Sequence, residues 1–169
     1  MKLPIFIGVD NGASGAVALL QGDAVPVCFT MPVVKFRGRS ELDNKRFAQL
    51  LEAHVIKLGG WSLVRIIVVE EPGGSQSAKS AKVMEGVFQA IRANMELYGR
   101  RWDRITPNTW QSEMLAKKLP AGETKSMALA KAQRMWPGEK FLPTSRCSKP
   151  DEGFIDAALI ALWASKNDK

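Results

Sequence analysis

The sequence is poor in the residues that build disulfide frameworks and zinc sites. It has two cysteines, Cys28 and Cys147, which lie far apart, and a single histidine, His54. Neither cysteine has a partner at metal-ligand spacing, so neither a disulfide framework nor a zinc site is indicated. We interpret both cysteines as reduced packing residues and assign no chemistry to His54.

Long apolar runs are also missing. No stretch approaches the roughly 18 consecutive apolar residues of a membrane span, and the amino terminus, MKLPIFIGVD, enters a strand pattern directly instead of a signal segment. With 46% hydrophobic and 24% charged residues, the composition is that of a folded globular chain. We therefore expect one globular domain over residues 1–169, without a membrane partner and located in the cytoplasm.

Acidic residues are too few to balance the basic ones. The formal net charge is +7, and residues 100–149 hold eleven lysines and arginines against four acids. Such a surplus favours a polyanion as partner, although a basic, solvated surface is an equally ordinary explanation. Charge alone leaves both explanations open.

The spacing of apolar residues predicts a block of strands followed by alternating helices and strands. Strands are predicted at 5–9, 16–20, 25–31, 65–69 and 102–105, with a loop at 35–40. Helices are predicted from Glu41 to Leu58 with Ser40 as cap, at 78–97, from Pro107, at 124–136 and at 151–165, with loops at 73–77, 117–123 and 138–150. The fold class is α/β, a central mixed five-stranded sheet with chain order βββαβαβα and helices on both faces.

Carboxylates stand at places where such a fold can bring them together. Asp10 ends the first strand, and Glu70 ends the fourth. Glu152 and Asp156 are four residues apart and share a helix face, whereas Asp151 lies about 140° around the helix from Asp156. If these acids converge, a hard cation such as Mg²⁺ or Mn²⁺ would offset their repulsion, and two ions about 3.5–4 Å apart support phosphodiester hydrolysis.

Each acid also has a purely structural interpretation. Asp10 could cap a turn, and Asp151 or Glu152 could stabilise a helix amino terminus by capping and by the helix dipole. Asp156 is harder to explain in this way, because it lies inside a helix among apolar residues, where an unpaired charge is unfavourable. It is the strongest single indication of a site.

Four sequence blocks then suggest a family. They are GVDNGASGAVAL with Asp10, VVEEPGG with Glu70, TPNTWQ followed by the basic segment through ETKSMALAKA, and KPDEGFIDAALIALW with Asp156. In this order and spacing they resemble the RuvC-type Holliday junction resolvases of the RNase H-like superfamily, especially the small phage-like members, over nearly the whole chain. The resemblance implies an RNase H-like nuclease domain and a crossover junction endodeoxyribonuclease that makes paired symmetric nicks in four-way DNA junctions.

The resemblance also implies two Mg²⁺ (or Mn²⁺) ions per active site. Three of the four ligands would be Asp10, Glu70 and Asp156. For the fourth, relatives commonly show a His-Asp-Gly sequence where this chain reads Asp-Glu-Gly, and anchoring on the glycine selects Glu152. Asp151 remains the alternative ligand.

Three lysines are candidate DNA contacts. Lys125 aligns with a family lysine that contacts the phosphate near the scissile bond, a role that suits a compact ammonium. Lys117 and Lys118 could contact phosphates of a junction arm without reading sequence, although solvated loop lysines are equally ordinary. Some relatives carry an aromatic residue after the fourth strand that stacks on an unpaired base; this chain has Gly73 and Gly74 there, so strand opening should work differently.

Two further residues inside these blocks, Glu71 and Trp110, have structural interpretations. Glu71 adjoins Glu70, but the alternation of a strand should point the two side chains to opposite faces. Trp110 could stack on bases, but a tryptophan at a helical position is more often part of the core. We interpret Trp110 as structural.

The resemblance further implies a homodimer, because two cuts in opposed strands require two related sites. It implies a location at the nucleoid or in the cytoplasm of a phage-infected bacterium, and it leaves open whether a branch-migration motor is a partner.

Two alternative functions remain open. One is an RNase H-like nuclease acting on forks, flaps or RNA–DNA hybrids, and the other is a non-catalytic protein that binds branched DNA. A nucleotide-binding loop of the actin-like sugar kinases, suggested by VDNGASG, would need a second, larger half that this chain lacks.

Overall fold

The computed structural model describes residues 2–73, 77–116 and 122–168. Its strands are β1 (Ile5–Asp10), β2 (Ala16–Gln21), β3 (Val27–Thr30), β4 (Val33–Phe36), β5 (Arg39–Leu42), β6 (Val64–Glu70) and β7 (Trp102–Ile105). Its helices are α1 (Asn44–Lys57), α2 (Ala78–Leu97), α3 (Pro107–Met114), α4 (Thr124–Met135) and α5 (Glu152–Asn167), with a short 3₁₀ turn at Trp61–Leu63.

Five strands form one mixed sheet in the order β3-β2-β1-β6-β7. Strand β1 pairs antiparallel with β2 and parallel with β6, β2 pairs antiparallel with β3, and β6 pairs parallel with β7. The predicted mixed five-stranded sheet is confirmed. Because β1 is the central strand and both of its faces are covered, its residues are almost all buried, as expected of an apolar run without alternation.

Helices cover both faces of this sheet, as predicted. On one face α3, α4 and α5 pack on Phe6 and Val68, and on the other α1 and α2 pack on Ile7 and Val69. The alternation of side chains along β1 and β6 thus divides the core into two layers. Within the described ranges, no helix is both long and apolar enough to cross a bilayer.

The close seating of α5 on β1 depends on Gly8. A Cβ atom built on this glycine would lie 2.2 Å from the carbonyl oxygen of Ala157 and 2.4 Å from the backbone nitrogen of Ala161. Any side chain at this position would therefore push the helix away from the sheet. Small residues on both elements bring the backbone of α5 against the centre of β1.

One predicted loop is wrong. Residues 35–40 do not form a loop but belong to a hairpin in which β4 and β5 pair antiparallel, with Phe36 opposite Arg39. The two residues between them, Arg37 and Gly38, both have positive φ, 47° and 76°, which is the backbone of a two-residue hairpin turn. The charged, exposed sequence concealed the hairpin, because it lacks the alternation of a half-buried strand.

The start of α1 is also later than predicted. The helix begins at Asn44 instead of Glu41, and its cap is Asp43, whose side chain accepts a hydrogen bond of 3.0 Å from the backbone N–H of Arg46. Ser40 cannot cap the helix, since residues 39–42 are paired in β5. The third strand, predicted over 25–31, is limited to Val27–Thr30.

Candidate active site

The first two carboxylates meet at one edge of the sheet. Strands β1 and β6 are parallel and in register, with Val9 opposite Val69, so the residues that follow, Asp10 and Glu70, lie side by side at their carboxyl ends. The alternation that sends Phe6 and Val68 toward α5 sends Asp10 and Glu70 to the same face. The sheet therefore places both acids beneath the start of the last helix.

The turn after Asp10 is tight and depends on a glycine. The backbone N–H of Gly15 donates to the carbonyl of Gly12 at 3.1 Å, and a Cβ on Gly15 would lie 2.2 Å from the carbonyl oxygen of Asp10. Only a residue without a side chain fits there. The turn thus keeps the space around Asp10 narrow on the side of β2.

Helix α5 brings the third acid to the same place. A Cβ on Gly153 would lie 3.2 Å from a carboxylate oxygen of Asp10 and 3.0 Å from the carbonyl oxygen of Ser14, so the first turn of α5 lies directly against the Asp10 turn. Asp156 follows one turn later on this helix. Its charge is one of the causes that raise the pKa of Asp10, after burial and the charge of Glu70.

Burial and mutual repulsion dominate the electrostatics of this cluster. Burial, and then the charges of Glu70 and Asp156, raise the pKa of Asp10 well above its usual value. Burial, and then the charges of Glu70 and Glu152, raise the pKa of Asp156 to about 7. Burial also raises the pKa of Glu70, while hydrogen bonds from Trp110 and Asp10 oppose the rise. The hydrogen bond between Asp10 and Glu70 raises the pKa of Asp10 and lowers that of Glu70.

Trp110 has a role that the sequence did not reveal. Its ring is fully buried, and its indole N–H donates a hydrogen bond of 2.7 Å to Oε1 of Glu70. The helix that carries it begins at Pro107, with Thr106 as the cap. The structural interpretation of Trp110 therefore covers only part of its contacts, and the need of a buried indole N–H for an acceptor was the signal that pointed to a polar partner.

The two adjacent acids at the start of α5 are used differently. Asp151 caps the helix: its Oδ1 accepts a hydrogen bond of 3.0 Å from the backbone N–H of Phe154. Glu152 is exposed and forms an ion pair of 2.5 Å with Lys125 of α4. This hydrogen-bonded pair raises the pKa of Lys125, and the charge of Asp156 adds to the effect. Lys125 therefore lies at the rim of the carboxylate cluster, and Lys117 and Lys118 lie outside the described residues.

Glu71 turns away from this cluster, as strand alternation predicts. Its carboxylate pairs with Arg104 of β7 at 3.1 Å, while Glu70 is buried. The sequence block therefore supplies one acid to the site, not two.

Asn11 is a further polar residue that sequence reasoning missed. It follows Asp10 directly, is buried, and donates from Nδ2 to the carbonyl oxygen of Met84 on α2 at 3.3 Å. Its Oδ1 has no hydrogen-bond partner among the residues that the structure describes. Its position directly after Asp10, at the end of a strand, was the sequence signal that pointed to it.

The cluster supplies the ligand chemistry of a hard cation, but not a finished coordination shell. In the described part of the chain, no three carboxylate, histidine or cysteine side chains are arranged to hold a metal ion as they stand. The oxygens of Asp10, Glu70 and Asp156 are nevertheless of the type that Mg²⁺ and Mn²⁺ prefer. Their pKa values are raised chiefly by burial and, for Asp10 and Asp156, also by neighbouring acids, and a bound cation would offset both costs.

No protein-family model and no curated protein sequence matches this chain. Among solved structures, it is similar to Thermus thermophilus RuvC in complex with a Holliday junction substrate, with 15% identity over 96% of this chain and 93% of that chain and a TM-score of 0.55. A second Thermus thermophilus RuvC structure has 14% identity, covers 97% of each chain and gives a TM-score of 0.53. At this level of identity the likeness bears on the fold, and it agrees with the sheet order and the helix layers described above. The chain therefore has the α/β, RNase H-like fold of RuvC.

Proposed function

We propose that this chain is a structure-selective endonuclease that resolves four-way DNA junctions by metal-dependent phosphodiester hydrolysis, with paired symmetric nicks. The observation that carries the proposal is the meeting of Asp10, Glu70 and Asp156, all with raised pKa values, at one edge of a RuvC-like sheet. Keeping three acids together in a buried place is costly without a compensating cation. A stable fold tolerates such a cost chiefly at functional sites.

Asp10, Glu70 and Asp156 would hold two Mg²⁺ or Mn²⁺ ions together with a fourth acid. Glu152 is the better candidate for that ligand, because the capping bond to Phe154 already occupies an oxygen of Asp151. When bound, such ions activate a water and stabilise the departing oxygen of a phosphodiester. Binding would require Glu152 to leave its ion pair with Lys125.

The release of Glu152 from its ion pair would allow Lys125 to bind DNA. Its side chain is 74% exposed and is held at the rim of the cluster by Glu152. Once Glu152 turns inward, the ammonium is free to bind a phosphate oxygen of the DNA next to the scissile bond. Lys117 and Lys118, which precede α4 in the sequence, would add contacts to the backbone of an arm.

Two symmetric cuts imply two copies of the site, so we infer a homodimer. The net charge of +7 fits a DNA partner, since each phosphate contact releases counterions and adds affinity without reading sequence. The thermophilic RuvC that this fold resembles was solved with a Holliday junction, which supports the same class of substrate here.

The test is cleavage of a synthetic four-way junction whose four strands carry different labels. Linear duplex, a fork and an RNA–DNA hybrid of the same sequence serve as controls, each in Mg²⁺, Mn²⁺ and chelator. Paired nicks at symmetric positions on the junction alone would support the proposal. Cutting of forks or hybrids instead would identify a nuclease of different selectivity, and tight junction binding without cutting in any metal would identify a binding protein.

A further inference from the structure

The hairpin of β4 and β5 leaves the sheet at the edge that carries the acids. Strand β3 runs in the same direction as β1, because both pair antiparallel with β2, and its last residue, Thr30, pairs with Ala16, whose other partner is Asp10. The backbone N–H of Met31 then donates to the carbonyl of Gly15 at 2.9 Å, which fastens the base of the hairpin to the turn after Asp10. The hairpin therefore projects from the immediate surroundings of the candidate active site.

Most of the projecting part is exposed and positively charged. Lys35, Arg37 and Arg39 are all exposed, and Phe36, between them, is 54% exposed. The guanidinium of Arg37 lies over the ring of Phe36, 5.3 Å from its centre. Lys35 donates a hydrogen bond to Ser40 across the strands. The tip thus presents three cations around one exposed aromatic ring.

A groove continues this surface onto α2. It measures about 510 Å³, and its charged lining residues are three cations, Arg39 from the hairpin and Lys79 and Lys82 from the first turns of α2, and one acid, Glu41. Gly86 leaves the floor open, since a Cβ there would meet nothing within 4 Å. Helix α2 is the element whose Met84 contacts Asn11, the neighbour of Asp10. Hairpin and groove therefore form one cationic surface on the α2 side of the acids.

Five cations of this surface lack carboxylate partners. In the ranges that the structure describes, no ion pair involves Lys35, Arg37, Arg39, Lys79 or Lys82. A phosphate backbone would neutralise all of them at once.

We propose that the β4–β5 hairpin and the first turns of α2 bind the phosphate backbone of one duplex arm of the branched DNA substrate, on the opposite side of the acids from Lys125. The inference rests on the proposed function and adds a second, separate DNA contact to it. A two-stranded ribbon suits this role, because it is narrow enough to lie along a groove of duplex DNA while its basic side chains contact the phosphates. The exposed ring of Phe36 would pack against a sugar or an exposed base at the arm.

The experiment measures binding of a fluorescein-labelled four-way junction in chelator at several salt concentrations. The test variant is Lys35→Gln/Arg37→Gln/Arg39→Gln, and the matched control, with the same loss of charge at the far edge of the sheet, is Lys2→Gln/Lys57→Gln/Lys166→Gln. The hairpin variant should bind at least ten-fold more weakly near 0.1 M salt, with a slope of log affinity against log salt smaller by about 2–3. The control should stay within about three-fold of the unmodified protein.

A single substitution distinguishes the loss of a DNA contact from misfolding of the hairpin. Arg37→Gly removes one cation at a position whose φ of 47° suits glycine, so its melting temperature should not fall while junction binding weakens by about two- to four-fold. Equal weakening by the two triple variants would overturn the inference, because net charge alone would then explain it. So would a hairpin variant that binds like the unmodified protein, or one that changes a dimer into a monomer in sedimentation.

Failure of the proposed function would look different. An unmodified protein that neither binds nor cuts any branched DNA would overturn the resolvase proposal and this inference together. An unmodified protein that cuts junctions with paired nicks, while the hairpin variant binds equally well, would overturn this inference alone.

Discussion

Replacing Asp156 with asparagine (Asp156→Asn) removes one charge from the carboxylate cluster and should change stability and activity in opposite directions. The pKa of Asp156 rises from 3.8 to about 7, chiefly through burial. At about 1.4 kcal/mol per pH unit, this rise corresponds to a cost of up to about 4 kcal/mol for the charged form above pH 7. The neutral amide avoids this cost, so the metal-free variant should be more stable than the unmodified protein.

The pH dependence of this stability difference follows from proton linkage. Because the pKa of Asp156 is higher in the folded protein than in the unfolded chain, the folded state binds the proton more tightly. The stability that this proton provides is complete below about pH 4 and is lost as the pH rises to about 7. The difference between the variant and the unmodified protein should therefore be small at pH 4 and largest at pH 8.

The assay is thermal unfolding in chelator at both pH values, with junction cleavage in Mg²⁺ measured on the same preparations. If about half of the cost is realised, the melting temperature of the variant at pH 8 should exceed that of the unmodified protein by about 4–8 °C. Cleavage should fall by at least a thousand-fold, while junction binding should change little. Glu71→Gln is the matched control, since Glu71 pairs with Arg104 away from the cluster and its loss should leave cleavage intact.

Two results would refute this reasoning separately. A metal-free variant that is no more stable at pH 8 would show that the charge of Asp156 is not penalised by burial. A variant that cuts junctions at the normal rate would show that Asp156 is not a ligand of the catalytic metals. Mg²⁺ should also stabilise the unmodified protein more than the variant, because only the former keeps the full set of acids.

Three further changes, two of them with a control substitution, test the scaffold and the rim of the site. Gly8→Ala should lower the free energy of unfolding, measured in urea, by about 1–3 kcal/mol, because its Cβ would collide with the backbone of α5. The control is Gly86→Ala, at an open helical position, which should raise the free energy of unfolding by up to about 1 kcal/mol. Trp110→Phe replaces the buried indole with a smaller ring and removes the hydrogen bond to a buried acid, so urea unfolding should show a loss of at least about 1–2 kcal/mol. Calorimetry should show a weaker affinity for Mg²⁺. Lys125→Ala should lower the single-turnover cleavage rate about ten- to hundred-fold, while the affinity for the junction falls less than about three-fold. The control is Lys131→Ala on the same helix, which should cut at the normal rate.

The order of strands and helices was predictable because the apolar pattern was strong in the central strands and in the last helix. Residues 66–69 form a continuous β-branched run, and the last helix has its packing residues at helical spacing. The β4–β5 hairpin was not predictable in the same way, since its strands lie outside the main sheet and bury only Leu42 completely. Its turn also places Arg37 at positive φ, where asparagine or glycine would have given a signal.

The acids themselves were easier to find than their roles. Asp10, Glu70 and Asp156 stand out because each is a charge at the end of, or within, an apolar element. The choice between Asp151 and Glu152 depends on one backbone hydrogen bond at the start of α5, which a sequence of adjacent acids does not specify. The contact between Trp110 and Glu70 joins residues forty positions apart and depends on tertiary packing.

The precision of the cluster comes from the way α5 is held at both ends. Its first turn is fixed by the Asp151 cap, and Asp168, just beyond its last turn, accepts hydrogen bonds from Arg65 and Arg101 at the opposite edge of the sheet. Between these ends, small residues press the helix against Gly8. Two of the acids lie on strands and the third on this clamped helix, so their separations depend on packed backbone instead of loops. In the proposed function, the acids would thus stay fixed on packed backbone, while the cations of the hairpin and of the rim would adapt to DNA arms of different geometry.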